Sequence, residues 1–166
     1  METSQFIALL DELAEMGVWA VAFTGGEPTL HPSFVDLVKH ARARDLLVGI
    51  ATNGLTLKRE LLAQLPTDGV IISVSLDNLH FAGKKAGQEF GHITETLNRC
   101  REFGFRTNIM TNTNRQNFGD LGKLIEWAEE RSVSIRSVPF SPLGRGKQFK
   151  GELELSVSEV DAAASF

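Results

Sequence analysis

Apolar residues recur along this chain in two alternating rhythms. Between residues 4 and 16, Phe6, Leu9, Leu10, Leu13 and Met16 fall at the spacing of one helical face, and Gly17 stands where such a helix would stop. Residues 18–24 follow as a short apolar run, a predicted strand, which Gly25-Gly26-Glu27-Pro28 breaks. Pro32 suits the first turn of a second helix, whose Phe34, Val35, Leu37, Val38 and Ala41 share one side. The pattern then repeats. Strands are predicted at 46–51, 70–76, 105–110 and 133–138. Helices are predicted at 58–65, at 92–103 with Ile93, Leu97 and Cys100 on a stripe, and at 118–131 with Leu121, Leu124, Ile125 and Ala128. Pro142, Gly144 and Gly146 mark a loop, and residues 157–164 begin a further helix.

Strands that alternate with helices run parallel, joined by right-handed crossovers. Short strands without polar alternation are those covered on both faces. The class is therefore α/β, as an open doubly wound sheet or a full or partial (β/α) barrel. Both gather ligands at the carboxyl ends of the strands. The chain opens on a helix with no strand before it, so the run at 18–24 is expected to be an open sheet edge, prone to self-association.

The strand ends hold the candidate chemistry. In Thr24-Gly25-Gly26-Glu27-Pro28 two glycines allow close approach to the backbone, and Glu27 offers an acceptor suited to an ammonium group. The same residues also fit a tight turn with a surface glutamate. Ala51-Thr52-Asn53-Gly54 reads equally as an Asn-Gly turn. In Ser73-Val74-Ser75-Leu76-Asp77, period two puts Ser73, Ser75 and Asp77 on one face, where they either meet a polar ligand or bond one another. The fourth strand carries Asn108, and the cluster completed after it by Asn112, Asn114 and Asn117 reads as loop chemistry. The segment from Pro139 to Gly146 is a rigid linker or a ligand wall, with Arg145 its charged residue.

Composition narrows this picture only at its margins. Among 166 residues, 42% are hydrophobic and 23% charged, an ordinary globular balance. A net charge of −4 without a basic block speaks against a nucleic-acid partner or an anionic membrane surface. No signal peptide and no spanning apolar run is evident, which makes a cytoplasmic location the expectation. His31, His40, His80 and His92 are not at metal-ligand spacing and read as surface or capping residues. Cys100 reads as a small buried hydrophobe.

Taken in order, the strand ends resemble the radical S-adenosylmethionine (radical SAM) superfamily. Gly25-Gly26-Glu27-Pro28 is similar to its Gly-Gly-Glu-Pro motif, Thr52-Asn53-Gly54 to its Thr-Asn-Gly strand end, and Ser75-Leu76-Asp77 to its Ser-Leu-Asp segment. Pro139 to Gly146 resembles the sixth-strand exit of members with C-terminal extensions, the molybdenum cofactor biosynthesis protein A and SPASM-type maturase branch. The resemblance implies a partial (β/α)6 barrel lacking its first strand, with a core over 1–148 and the start of an extension over 149–166. It implies that Gly25, Gly26 and Glu27 hold the methionine ammonium of S-adenosylmethionine. It further implies that Ser75 and Asp77 hold the ribose or carboxylate, that Thr52 lines the pocket towards substrate, and that the Val138 backbone meets adenine. Family chemistry is reductive cleavage of S-adenosylmethionine by a 4Fe–4S cluster, fed by a donor such as flavodoxin or ferredoxin. The resulting 5′-deoxyadenosyl radical abstracts hydrogen from a peptide, nucleotide, tetrapyrrole or small metabolite.

The sequence departs from the family at the cluster. Family clusters hang on a Cys-x3-Cys-x2-Cys loop, and this chain has Cys100 alone. The cluster cysteines are therefore expected upstream of Met1, with neither a catalytic residue nor a metal ligand in the chain itself. Asn78 stands where the family commonly has Gly. Two other readings remain open: a cluster-less derivative that binds S-adenosylmethionine or a partner without catalysis, and an unrelated (β/α)-barrel aldolase or isomerase, for which Lys84, Lys85 and Lys147 would be the lysines to test.

Overall fold

The computed structural model describes residues 2–76 and 86–163. Its sheet has the order β1 (Ala20–Phe23), β2 (Leu47–Thr52), β3 (Val70–Ser75), β4 (Arg106–Thr113), β5 (Ser134–Pro139). β1 runs parallel to β2 with Val21 opposite Val48, and β2 parallel to β3 with Val48 opposite Val70 and Thr52 opposite Val74. The helices α1 (Thr3–Glu15), α2 (Phe34–Ala43), α3 (Arg59–Leu62), α4 (Ala86–Glu102) and α5 (Leu121–Glu129) alternate with the strands. α6 (Lys150–Leu153) and α7 (Val157–Ala163) follow the last of them. This is the α/β class that the hydrophobic pattern predicts.

The residues group into two compact units, Met1–Ser75 with His92–Asn108, and Leu76–Gly91 with Ile109–Phe166. In the first, Val48, Ile50, Val70, Ile72 and Val74 form the buried face of the sheet, beside Leu37, Val38 and Ala41 of α2 and Ile93, Leu97 and Cys100 of α4. Each such branched side chain removed from water contributes roughly 1.5–3 kcal/mol, so this layer holds the unit together. Gly49, Ala51, Ser73 and Ser75 alternate with it and are half-buried. The polar stripe of β3 thus lies on the face where period two places it. α1 packs on α2, and Asp11 reaches His40 at 2.8 Å and Arg44 at 3.2 Å. These pairs are partly exposed and worth under about 1 kcal/mol each, which leaves apolar contact as the main tie.

In the second unit, Leu121, Leu124 and Ala128 of α5 are buried with Ile109, Thr111 and Thr113 of β4. Phe140 N–H donates to Thr113 O at 2.8 Å, and Leu76 N–H to Met110 O at 2.9 Å. The loop after β4 holds the C-terminal helices. Arg115 N–H donates to Leu153 O, and its guanidinium to Gly151 O, both at 3.0 Å; Glu159 is 3.8 Å from it.

Several boundaries differ from expectation for physical reasons. Pro32 precedes α2 instead of opening it, and Pro28 begins a 3-10 turn, Pro28–Leu30, with Glu27 as its cap. β4 runs on to Thr113, because Thr111 and Thr113 continue the buried alternation that Ile109 starts. Asn108 lies in the strand as predicted and Asn112 joins it, whereas Asn114 and Asn117 do shape a loop: Asn117 Oδ1 accepts from Asn114 N–H at 2.8 Å. α4 starts six residues early, at Ala86. The predicted loop holds over 140–143, and a 3-10 helix, Gly144–Phe149, and α6 follow it. Among the described residues, no helix is long and apolar enough to cross a membrane.

Candidate functional site

β1 delivers the chain into Thr24, Gly25 and Gly26. Gly25 has φ 128°, a backbone that side chains with a Cβ rarely adopt. A Cβ added at Gly25 or Gly26 would meet nothing within 4 Å, so the space over both residues is open. Pro28 then starts the 3-10 turn, and the Glu27 side chain caps it by accepting Thr29 N–H at 3.3 Å.

Glu27 ties two strand ends together. Its Oε1 accepts the Thr29 hydroxyl at 2.5 Å and the Thr52 hydroxyl at 2.8 Å, and its Oε2 accepts Asn53 N–H at 2.9 Å. Thr52 ends β2 and is 2% exposed; its oxygen in turn accepts Gly54 N–H at 3.0 Å. Asn53 Oδ1 accepts Leu55 N–H at 2.9 Å, a turn that presents the Asn53 N–H to Glu27. Gly54, at φ 79°, lies so close to α4 that a Cβ would stand 3.0 Å from Thr96 Cγ2. Thr29 is further bonded to the Thr56 hydroxyl.

Burial alone would raise the Glu27 pKa. Hydrogen bonds from the Thr29 hydroxyl, Asn53 N–H, Thr52 hydroxyl and Thr29 N–H outweigh it and hold the carboxyl below the ordinary carboxylate value. Glu27 is therefore an anion at neutral pH. Oε1 is crowded by three donors, whereas Oε2 has one among the described residues and retains capacity for another. A cavity of about 270 Å³ lies beside it, lined by Phe6, Phe23, Gly26, Glu27, His31 and Phe34 among others.

The other predicted residues are placed as follows. Ser75 ends β3 half-buried, on the face opposite Val74 and hence opposite its partner Thr52. Asp77, with Asn78, His80, Lys84 and Lys85, lies outside the described residues. Val138 lies in β5 and is 39% exposed. Thr52, Glu27, Gly25 and Gly26 are the ones brought together. Pattern reading missed the Thr29 and Thr56 hydroxyls. A partial signal was present in Glu27-Pro28-Thr29, a capping residue followed by a first-turn proline.

His31 Nδ1 accepts Ser33 N–H at 3.2 Å, a capping role, while His92 Nε2 is buried without a partner among the described residues. Cys100 is fully buried, and that burial pushes its thiol up to about 11 despite the nearby Arg99 charge. Among the described residues no three His, Cys, Asp or Glu side chains are grouped to hold a metal ion. An ammonium group fits the acceptor capacity left on Glu27 Oε2, whereas buried Cys100, the one cysteine of this sequence, falls short of the several thiolates that hold an iron–sulfur cluster.

A family model described as the radical SAM superfamily matches residues 1–128. The chain belongs to the radical SAM superfamily. The unrelated aldolase or isomerase barrel is not favoured. Among its relatives is an Fe-coproporphyrin III synthase of Methanosarcina barkeri, 30% identical over 96% of this chain and 41% of that protein. Another is a GTP 3',8-cyclase of Chlorobaculum tepidum, 35% identical over 86% of this chain and 44% of that protein. Among solved structures, native anSMEcpe with bound AdoMet and Cp18Cys peptide superposes with a TM-score of 0.73. It is 16% identical, and the match covers 96% of this chain and 49% of that one. The shared fold is the radical SAM partial barrel. The chain spans less than half the length of these radical SAM proteins.

Proposed function

We propose that this chain is the S-adenosylmethionine-binding part of a longer radical SAM enzyme, with Glu27 receiving the methionine ammonium. One observation carries the reading: a carboxylate held by three donors on one oxygen and by one on the other, beside two glycines with empty space above them. Bound S-adenosylmethionine supplies the radical chemistry of the family. The residues of this chain bind and orient it. Glu27 holds the ammonium, and the Gly25-Gly26 backbone lets the methionine lie close. The family resemblance alone assigns the ribose or carboxylate to Ser75 and Asp77 and the adenine to the Val138 backbone. Thr52 acts through Glu27, to which its hydroxyl is committed. The 4Fe–4S cluster and its electron donor belong to other residues and partners of the longer protein.

Titration calorimetry with S-adenosylmethionine tests this. The chain should bind, and Glu27→Gln should weaken binding by about tenfold or more, the worth of a charge-assisted hydrogen bond. No binding by the wild type, or equal binding by the variant, overturns the reading. After anaerobic reconstitution with iron and sulfide, the isolated chain should release no 5′-deoxyadenosine; its release would place the cluster within these residues.

A further inference from the structure

Hydroxyl groups converge on the Glu27 carboxylate from two flanks. A hydroxyl carries one proton. Thr29 gives its proton to Glu27 Oε1, so in its contact with Thr56 it can only accept, and Thr56 must donate. The order is Thr56 to Thr29 to Glu27. On the other flank Thr52 gives its proton to the same Oε1 and accepts from Gly54 N–H. Both hydroxyl chains end on Oε1, and neither reaches Oε2. Thr56 is itself well anchored. The next residue, Leu57, is fully buried, its N–H donates to Gly54 O at 3.3 Å, and its carbonyl accepts Arg99 Nη1 from α4 at 2.8 Å.

We propose that Thr56 is a positioning residue: through Thr29 it holds Oε1 of Glu27 in place, so that Oε2 is the oxygen left to receive a ligand's ammonium. The loop between β2 and α3 thereby sets the binding strength of the loop after β1. The proposal rests on the ammonium-binding reading for its consequence, but the hold on the carboxylate can be read without a ligand.

The experiment uses the full 166-residue chain with Thr56→Val and Thr56→Ser. Glu27 is titrated through its carboxyl carbon by NMR, and S-adenosylmethionine binding is measured in parallel. Thr56→Val should raise the Glu27 midpoint and weaken binding about three- to tenfold, the range for one lost hydrogen bond in a network. Thr56→Ser, which keeps the donor, should restore both. An unchanged midpoint in Thr56→Val, or a serine variant that behaves like valine, overturns the proposal. If the valine variant does not fold, Thr56→Ala makes the same comparison with serine. A midpoint that moves in a chain that binds no S-adenosylmethionine upholds the role of Thr56 and removes the cofactor reading alone.

Discussion

Glu27 makes stability depend on acid. Its carboxyl titrates below the ordinary value of 4.5 because its donors are met only in the folded chain. A depressed folded value contributes stability that is full above the unfolded pKa and is lost as pH falls through the folded one. Urea midpoints taken from about pH 6 down to about pH 3 should therefore drop more steeply in the wild type than in Glu27→Gln. Gly54 is the second residue whose identity is dictated by geometry. Gly54→Ala combines a positive φ with a contact at 3.0 Å and should cost about 1–3 kcal/mol in denaturant unfolding. Pairing it with Thr96→Ser should recover only a part of the steric cost, because Val74 Cγ1 stands 3.3 Å from the added Cβ as well. Cys100 is the opposite case, a reactive group made inert. Its buried thiol should resist alkylation at about pH 8 in the folded chain and react promptly once urea is added.

At the scale of elements, hydrophobic period was enough to locate all five strands and the helices between them. What it did not locate depends on contacts made in three dimensions. The 3-10 turn at Pro28–Leu30 exists because a glutamate carboxylate caps it, and β4 extends because Thr111 and Thr113 are buried although they are polar. The site divides in the same way. Gly25, Gly26 and Glu27 interrupt an apolar run and stand out in the sequence. Thr29 and Thr56 are ordinary threonines, 27 positions apart, until the fold brings their hydroxyls together. α6 and α7 owe their place to Arg115, whose main chain and guanidinium meet Leu153, Gly151 and Glu159. Arg115→Ala should leave the rest of the chain intact and make residues 150–163 the first to be cut in limited proteolysis.

At the scale of the whole chain, the sheet order of the described residues places β1 at one end, with Trp19 just before it 74% exposed and Met16 more so. An apolar sheet edge of this kind invites pairing. Sedimentation should show association that grows with concentration, and Trp19→Lys should reduce it without changing S-adenosylmethionine affinity. The bond from Glu27 across to Thr52 and Asn53 also has a consequence for recombination between relatives. A crossover between residues 29 and 52 would pair one parent's glutamate with another parent's donors. Chimeras joined there should lose function more often than those joined at residue 66, where both loops pass to the offspring from one parent, and the two stretches should be inherited as a single block.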